Sequence, residues 1–241
     1  SKLGKILLIY FVMSLFIGKC YAQEATMEIH KTDKTVITYK LSQVDSVTFT
    51  SCEKANKCLV AYYPFNGNAN DESGNGNNGT VYGATLTADR FGKPNAAYSF
   101  DGNSNWINCG HNNSLQMNDA MTISVWIKCN TVNSEAIIIG KTLTPMTNYE
   151  YYIWLSPPDG SLGCGFGGTN FVDLYSNFNV TPHIWFHIAA SYQYPGNLIL
   201  YVNGNEKGRI QTNGPIIPTN QDLVIGIIRP GDIRYFDGII D

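Results

Sequence analysis

A long loop rich in Asn and Gly, lying between two short apolar runs, excludes a helical domain over residues 59–102. The apolar runs are residues 62–65 and 96–100. Gly and Asn favour turns and left-handed backbone conformations, so no packed helix forms between these runs. Because the segments that follow alternate in polarity, this stretch predicts the opening of an all-β domain.

The segments beyond residue 102 have the length and the alternation of half-buried strands. Met121, Ile123 and Val125 alternate with Thr122 and Ser124, and the same phase continues to Cys129. Further strands are predicted at residues 136–139, 149–155, 162–166, 185–192, 198–202 and 223–227. Turn signals lie at residues 157–160, 194–197 and 203–204. An antiparallel β-sandwich with jelly-roll connections accounts for this pattern.

Composition agrees with a single sandwich and argues against a nucleic-acid-binding surface. The chain of 241 residues is long enough for one sandwich and a small extra module. Its formal net charge is −3, with both signs dispersed along the sequence, so no basic footprint for nucleic acid is present. The 23 glycines and an aromatic content of 12% suit a fold with many turns and an aromatic core.

The N-terminus has the features of a secretory signal peptide spanning residues 1–22. Lys2 and Lys5 precede an apolar run at residues 6–17, and Cys20 and Ala22 supply small residues before the expected cleavage. Twelve residues of helix rise about 18 Å, which is too short to span a bilayer, so no membrane span is predicted. A lipid anchor on Cys20 is the alternative, and Lys19 argues against it. The protein is therefore expected to be secreted or displayed at the cell surface.

Two short segments separate the signal peptide from the sandwich. Residues 23–50 are predicted to form a small β segment that resembles a leader found after the signal peptide of many bacterial secreted proteins. Residues 51–58 form a polar linker, and its Cys52 and Cys58 are candidates for a disulfide that closes a short loop. Cys129 and Cys164 fall on the apolar phase of their strands and are predicted to be buried thiols.

Three segments in order carry a family resemblance that covers nearly everything after Leu59. They are residues 63–102, residues 183–208 and the terminal YFDGIID at 235–241. Together they resemble the laminin-G-like, concanavalin A-like lectin/glucanase fold, in its bacterial secreted, pentraxin-related branch. The resemblance implies a sandwich over residues 59–241. It also implies that a last strand follows Asp241, and that further domains of the same polypeptide lie downstream.

The resemblance also implies a structural calcium ion near the SFDG turn. Asp101 and Asp241 match the acidic positions of the family, and Asn103 and Asn105 add oxygen atoms of the kind that Ca²⁺ prefers. The alternative is that the Asp101 carboxylate only caps a turn.

A sugar-binding platform is predicted on the strand at residues 149–155. Tyr152 and Trp154 share one face with Glu150, and sugar C–H surfaces pack on aromatic rings beside polar side chains. The alternative phase places both rings in the sandwich core and turns Tyr151 and Ile153 outward.

No catalytic motif is found in the chain. Glycosidases of this fold carry an E-x-D-x-x-E strand that brings two carboxylates to the glycosidic bond, and the sequence has no such run. The sequence therefore predicts a non-catalytic binding module, recognising a glycan or a surface protein. A purely structural domain of a larger surface protein, or a glycoside hydrolase of the same fold, is the alternative.

Overall fold

The computed structural model describes residues 26–30, 36–40, 59–142, 149–167, 171–228 and 231–241. By its contacts the chain divides into two units, Ser1–Ala55 and Asn56–Asp241. The expected signal peptide, the linker and the pair Cys52 and Cys58 lie outside the described residues. These three expectations stay predictions.

The first unit contains a two-stranded antiparallel sheet. β1 (Thr26–His30) pairs with β2 (Val36–Lys40) in a register that places Ile29 opposite Ile37. The segment 23–50, predicted to form a small β segment, therefore contains two strands. The remaining residues of this segment lie outside the described ranges.

The second unit is a sandwich of two antiparallel sheets, each with seven strands in the part of the chain that the structure describes. Sheet I runs in the order β11 (Val172–Asn179), β10 (Ser161–Phe166), β9 (Tyr149–Ser156), β8 (Ala136–Thr142), β15 (Leu223–Ile225), β6 (Trp106–Asn108) and β3 (Thr80–Tyr82). Sheet II runs in the order β14 (Asn205–Gln211), β13 (Asn197–Val202), β12 (Phe186–Gln193), β7 (Ala120–Cys129), β16 (Asp237–Ile240), β5 (Ala97–Asp101) and β4 (Thr85–Thr87).

Helix is confined to a single 3₁₀ turn, Asn113–Leu115, within these described residues. None of their helices has the length and apolar character needed to cross a bilayer. The predicted all-β class is confirmed.

Alternation of side chains between the two sides of each strand builds the core between the sheets. In β12, Phe186, Ile188, Ala190 and Tyr192 are buried, and the residues between them are more exposed. The ring of Tyr192 stacks on Phe166 of sheet I with centroids 5.1 Å apart, so aromatic packing joins the two layers.

Cys129 and Cys164 are both buried in this core as free thiols, as their strand phase predicts. The apolar run at residues 62–65 belongs to no sheet. β16 lies in the middle of sheet II between β7 and β5, and the expected further strand after Asp241 stays a prediction.

Candidate binding face on the outer side of sheet I

The structure fixes which side of β9 faces the core. Tyr151, Ile153 and Leu155 belong to the main core, whereas Tyr152 and Trp154 form a separate cluster on the outer side of sheet I. The alternative phase, with Tyr152 and Trp154 between the sheets, is therefore not the one adopted. Residues on both sides of this strand are apolar and buried, which is why periodicity alone left the choice open.

Glycines of the neighbouring strand make room for the two rings. Trp154 lies opposite Gly163, and Tyr152 lies opposite Gly165. A Cβ atom at Gly163 would fall less than 3.0 Å from ring atoms of Trp154, and one at Gly165 equally close to Tyr152. The rings therefore lie down over the glycine backbone of β10, a close approach that no larger residue permits.

Two further aromatic residues complete the layer. Phe171 stacks on Tyr152 at 6.1 Å between centroids, and Tyr175 meets Trp154 edge-on at 5.3 Å. Tyr152 and Trp154 are only 8% and 4% exposed, whereas Tyr175 is 68% exposed. We call Tyr152, Trp154, Phe171, Asp173 and Tyr175 the outer aromatic face, and Tyr175 is its most accessible ring.

Asp173 supplies the polar group of the outer aromatic face. Its Oδ1 accepts a hydrogen bond of 2.7 Å from the Tyr152 hydroxyl, and it lies opposite Gly165 on β11. Burial raises the pKa of Asp173, although the hydrogen bond from Tyr152 opposes the shift. Burial also raises the pKa of Tyr175, with smaller contributions from the carboxylates of Asp173 and Glu135. A hydrogen-bond acceptor is thus held beside aromatic rings.

Glu150 does not contribute to this face, contrary to the expected platform. Its side chain is 0% exposed and lies 2.7 Å from Lys141 Nζ, and Thr219 Oγ1 donates a 2.8 Å hydrogen bond to it. Burial raises the pKa of Glu150, and the hydrogen bonds from Lys141 and Thr219 oppose the shift. A buried carboxylate is costly without a partner, so Glu150 is held by Lys141 inside the molecule.

The Asp101 carboxylate caps a turn, which is the role that the sequence analysis gave as the alternative to calcium binding. Its Oδ1 accepts hydrogen bonds of 2.8–3.0 Å from the backbone N–H groups of Asn103, Ser104 and Asn105. The Ser104 hydroxyl donates to the other oxygen at 2.8 Å. Partial burial would raise the pKa of Asp101, but these hydrogen bonds outweigh it and lower the pKa to about 2.

The four predicted calcium ligands do not converge on one point. In the β5–β16 ladder, Asp101 pairs with Asp237 and Tyr98 pairs with Ile240. Asp241 therefore lies four positions along the strand from the partner of Asp101, about 13 Å away at the rise of a strand. There it forms an ion pair of 2.5 Å with Arg90.

No group of three or more His, Cys, Asp or Glu residues suited to a metal ion is found among the residues with described positions. Calcium binding stays a prediction that this arrangement does not strengthen.

Asp173, Phe171 and Tyr175 escaped the sequence analysis, which singled out only β9. A usable signal was present in the strand that follows, SLGCGF, where glycines occupy every second position. The turn at residues 157–160 fixes the register, and counting outward from it places Gly163 opposite Trp154.

Comparison with known proteins identifies the family. The family model of the concanavalin A-like lectin/glucanases superfamily matches residues 101–241, which is more than half of the chain. The chain belongs to this family. A search of curated proteins finds no match.

Solved structures show the same fold at low sequence identity. Domain 4 of AbnA, a GH43 extracellular arabinanase from Geobacillus stearothermophilus, in complex with arabinotriose, has 23% identity and a TM-score of 0.61, covering 76% of this chain and 88% of that one. The binding domain of Paraclostridial Mosquitocidal Protein 1 has 20% identity and a TM-score of 0.58, covering 71% of this chain and 44% of that one.

The receptor-binding domain of botulinum neurotoxin C/D mosaic serotype has 18% identity and a TM-score of 0.57, covering 77% of this chain and 48% of that one. This chain therefore matches less than half the length of the two toxin domains. All three similar structures are binding domains or come from a complex with a sugar, and at these identities they show the fold that this chain shares.

Proposed function

We propose that the sandwich is a non-catalytic module that binds a carbohydrate on the outer aromatic face. The observation that carries the proposal is the layer of rings laid over the glycines of β10, with Tyr175 exposed at its border. Exposed apolar groups rimmed by polar side chains can mark binding sites, and Tyr175, which is 68% exposed near Asp173, is the exposed group of this layer.

The chemistry of the face suits a sugar. The C–H surface of a pyranose or furanose ring packs on the accessible ring of Tyr175, which Trp154 supports edge-on at 5.3 Å. Asp173 offers a carboxylate oxygen to a sugar hydroxyl while its other oxygen is held by Tyr152. An apolar surface with a few placed polar groups is the usual composition of a ligand site.

The similar arabinanase domain supports a sugar as the ligand class, because its structure was solved with arabinotriose. Catalysis lacks support, since the E-x-D-x-x-E strand of glycosidases with this fold is absent from the sequence. The proposal therefore names binding alone.

A glycan array with the full chain tests the proposal, followed by calorimetry with arabinotriose as the first soluble probe. We expect binding that falls at least tenfold in Tyr175→Ala and in Trp154→Ala. Tyr82→Ala is the matched control, because Tyr82 is 45% exposed on the opposite edge strand of sheet I, stacked on Trp106. Glycan binding by the Tyr82→Ala variant should be unchanged.

A blank array would favour the alternative, a structural domain of a larger surface protein. Release of reducing ends from a polysaccharide would favour the glycosidase alternative and contradict the proposal.

Export is part of the same proposal, because a glycan ligand lies outside the cell. The supporting feature is the apolar run at residues 6–17 with small residues before residue 23. N-terminal sequencing of the secreted protein should begin at Gln23, and retention of residues 1–22 in the mature protein would contradict it.

A further inference from the structure

An exposed carboxylate, Glu135, lies at the border of the outer aromatic face. Ile137 of β8 pairs with Trp154 and belongs to the same cluster on the outer side of sheet I. Glu135 precedes Ile137 by two residues, so in an extended segment its side chain leaves the same side of the sheet. The indole N–H of Trp154 points toward that end of β9, where it donates a 3.0 Å hydrogen bond to the Ser156 hydroxyl. Glu135 therefore lies beyond the Trp154 end of the face.

The accessible ring of Tyr175 lies between two carboxylates. Asp173 precedes it by two residues on β11, so the two side chains leave the same side of the sheet about 7 Å apart. Toward the other end of the sheet, Gly163 pairs with both Tyr175 and Trp154, which places the two rings in one row beside Glu135. Burial raises the pKa of Tyr175, and the charges of Asp173 and Glu135 raise it further. Both carboxylates therefore act on this ring from opposite sides.

Arg234 contacts Glu135 without neutralising it. The Arg234 guanidinium donates hydrogen bonds of 2.9 and 2.8 Å to the two carboxylate oxygens of Asp232, whereas it lies 3.6 Å from Glu135. Asp232 thus balances the charge of Arg234. The Glu135 side chain is exposed, and in the part of the chain that the structure describes its carboxylate accepts no hydrogen bond. The border of the outer aromatic face therefore carries excess negative charge.

An exposed aromatic ring with carboxylates on two sides suits an ammonium group. The face of the ring attracts a cation, and a carboxylate accepts strong hydrogen bonds from a charged N–H donor. A neutral sugar gains from the acceptors but not from the charge, and an acetylated amino sugar has lost its charge. An acidic sugar is repelled by both carboxylates. The arrangement therefore discriminates between classes of sugar.

We propose that the outer aromatic face selects glycans that carry free amino groups, with Tyr175 stacking on a sugar ring and with Glu135 and Asp173 accepting hydrogen bonds from its ammonium groups. This inference rests on the proposed function, because it names the ligand class of the same face. Glu135 is then a residue that determines specificity. A lysine peptide offers the same ammonium groups but no sugar ring to stack on Tyr175, so the two ligands can be distinguished.

Calorimetry on the full chain tests the inference with three soluble sugars. They are the glucosamine trimer, its fully N-acetylated counterpart and arabinotriose, all measured at pH 6, where the free amines are largely protonated. We expect the glucosamine trimer to bind at least about fivefold more tightly than the acetylated trimer, the size typical of contacts between a cation, a ring and an exposed carboxylate. Raising the salt concentration to about 1 M should remove most of this preference, because it screens exposed charges.

A charge-neutral variant locates the preference. Glu135→Gln keeps the size of the side chain and removes its charge, so it should reduce the preference for the glucosamine trimer about threefold while arabinotriose binding stays within about twofold. Glu72→Gln is the matched control. It also removes one exposed carboxylate, but Glu72 lies outside both sheets, where its N–H bonds the backbone of Tyr62. The preference of this variant should not change.

The outcomes separate this inference from the proposed function. Equal affinity for the free and acetylated trimers, both weakened by Tyr175→Ala, would overturn the inference and leave sugar binding intact. An amine preference that Glu72→Gln reduces as much as Glu135→Gln does would also overturn it, because the preference would then reflect the net charge of the chain. So would a lysine trimer that binds as tightly as the glucosamine trimer. Binding of none of the three sugars would contradict both proposals.

Discussion

At the scale of single residues, the Asp101 carboxylate orders its turn only while it is ionised. The folded-state pKa of its carboxyl group is about 2, below the ordinary aspartate pKa of 3.8, so the ionised carboxylate contributes stability that is present above pH 4. That contribution is lost as the pH falls from about 4 to about 2. Since the side chain is exposed, solvent screening limits the contribution to about 1 kcal/mol.

We predict that Asp101→Asn lowers the free energy of unfolding by about 1 kcal/mol at pH 7, and that the difference vanishes near pH 2. Urea unfolding at pH 7, 4 and 2 measures this. Asp119→Asn is the control, because no hydrogen bond to the Asp119 carboxylate is found in the described structure. A difference that persists at pH 2 would show that the charge of Asp101 is irrelevant to the turn.

Lys141 and Glu150 depend on each other because both side chains are fully buried. Lys141 Nζ also donates to the carbonyl oxygens of Leu115 and Thr219, at 3.4 and 3.1 Å. Removal of one member leaves an uncompensated buried charge, which typically costs 3–5 kcal/mol, about the largest effect a single substitution has.

We therefore predict that Lys141→Met lowers the free energy of unfolding by about 3–5 kcal/mol, and that Lys141→Met with Glu150→Leu recovers most of the loss. Denaturant titration of the two variants measures the coupling. Arg209→Met is the control, since Arg209 and Glu206 form an exposed ion pair, and its unfolding midpoint should not change measurably. A double variant no better than the single one would contradict the prediction.

At the scale of strands and turns, the sequence predicted most of the long elements. β7, β12 and β13 alternate cleanly because one side faces the core and the other faces water. The strands β3, β4 and β6 were not predicted, because three residues are too few to show a period. β15 is equally short, but it lies within the longer alternating run at residues 223–227 that the sequence analysis identified.

The sequence also did not predict which side of β9 faces the core, for a different reason. A second layer of aromatic rings covers the outer side of β9, so the residues on both sides of this strand are largely apolar. The burial of Glu150 depends on its ion pair with Lys141 in the neighbouring strand β8. The alternation of residues within β9 cannot predict a contact with another strand. The separation of Asp101 from Asp241 likewise follows from the register of β5 and β16, which the spacing of acidic residues does not reveal.

The two glycines of β10, Gly163 and Gly165, allow the rings of Trp154 and Tyr152 to lie against the sheet. We expect Gly163→Val and Gly165→Val to lift the rings of Trp154 and Tyr152 from the sheet, because a side chain there collides with them. Overpacking of this kind typically costs about 1–3 kcal/mol. Denaturant unfolding measures the loss of stability, and the tryptophan emission maximum, to which Trp154 contributes as one of four tryptophans, measures the movement of the ring.

Ser161→Val is the control for these glycine variants. Ser161 lies on the same side of β10, but opposite Ser156 rather than a ring. A glycine variant that unfolded like the wild type and kept its emission maximum would show that the rings are not held by this contact.

At the scale of the whole molecule, three thiols report the integrity of both sheets. Cys129 belongs to β7 of sheet II, Cys164 belongs to β10 of sheet I, and Cys109 follows β6; all three are buried and unpaired. Burial raises the pKa of Cys109 to about 12 and that of Cys129 to about 11, and it raises the pKa of Cys164 as well. Because the thiolate is the reactive form, these groups are inert until the core opens.

We predict that the chain cut after Ala22, which keeps five of the six cysteines, shows at most two thiols reactive toward a disulfide reagent in the native state. None reacts if Cys52 and Cys58 are joined, so the same titration tests the predicted disulfide. In denaturant, three further thiols should appear together in one kinetic phase, because one core connects the two sheets and unfolds cooperatively. Reaction of Cys164 well before Cys129 would show instead that sheet I opens independently of sheet II.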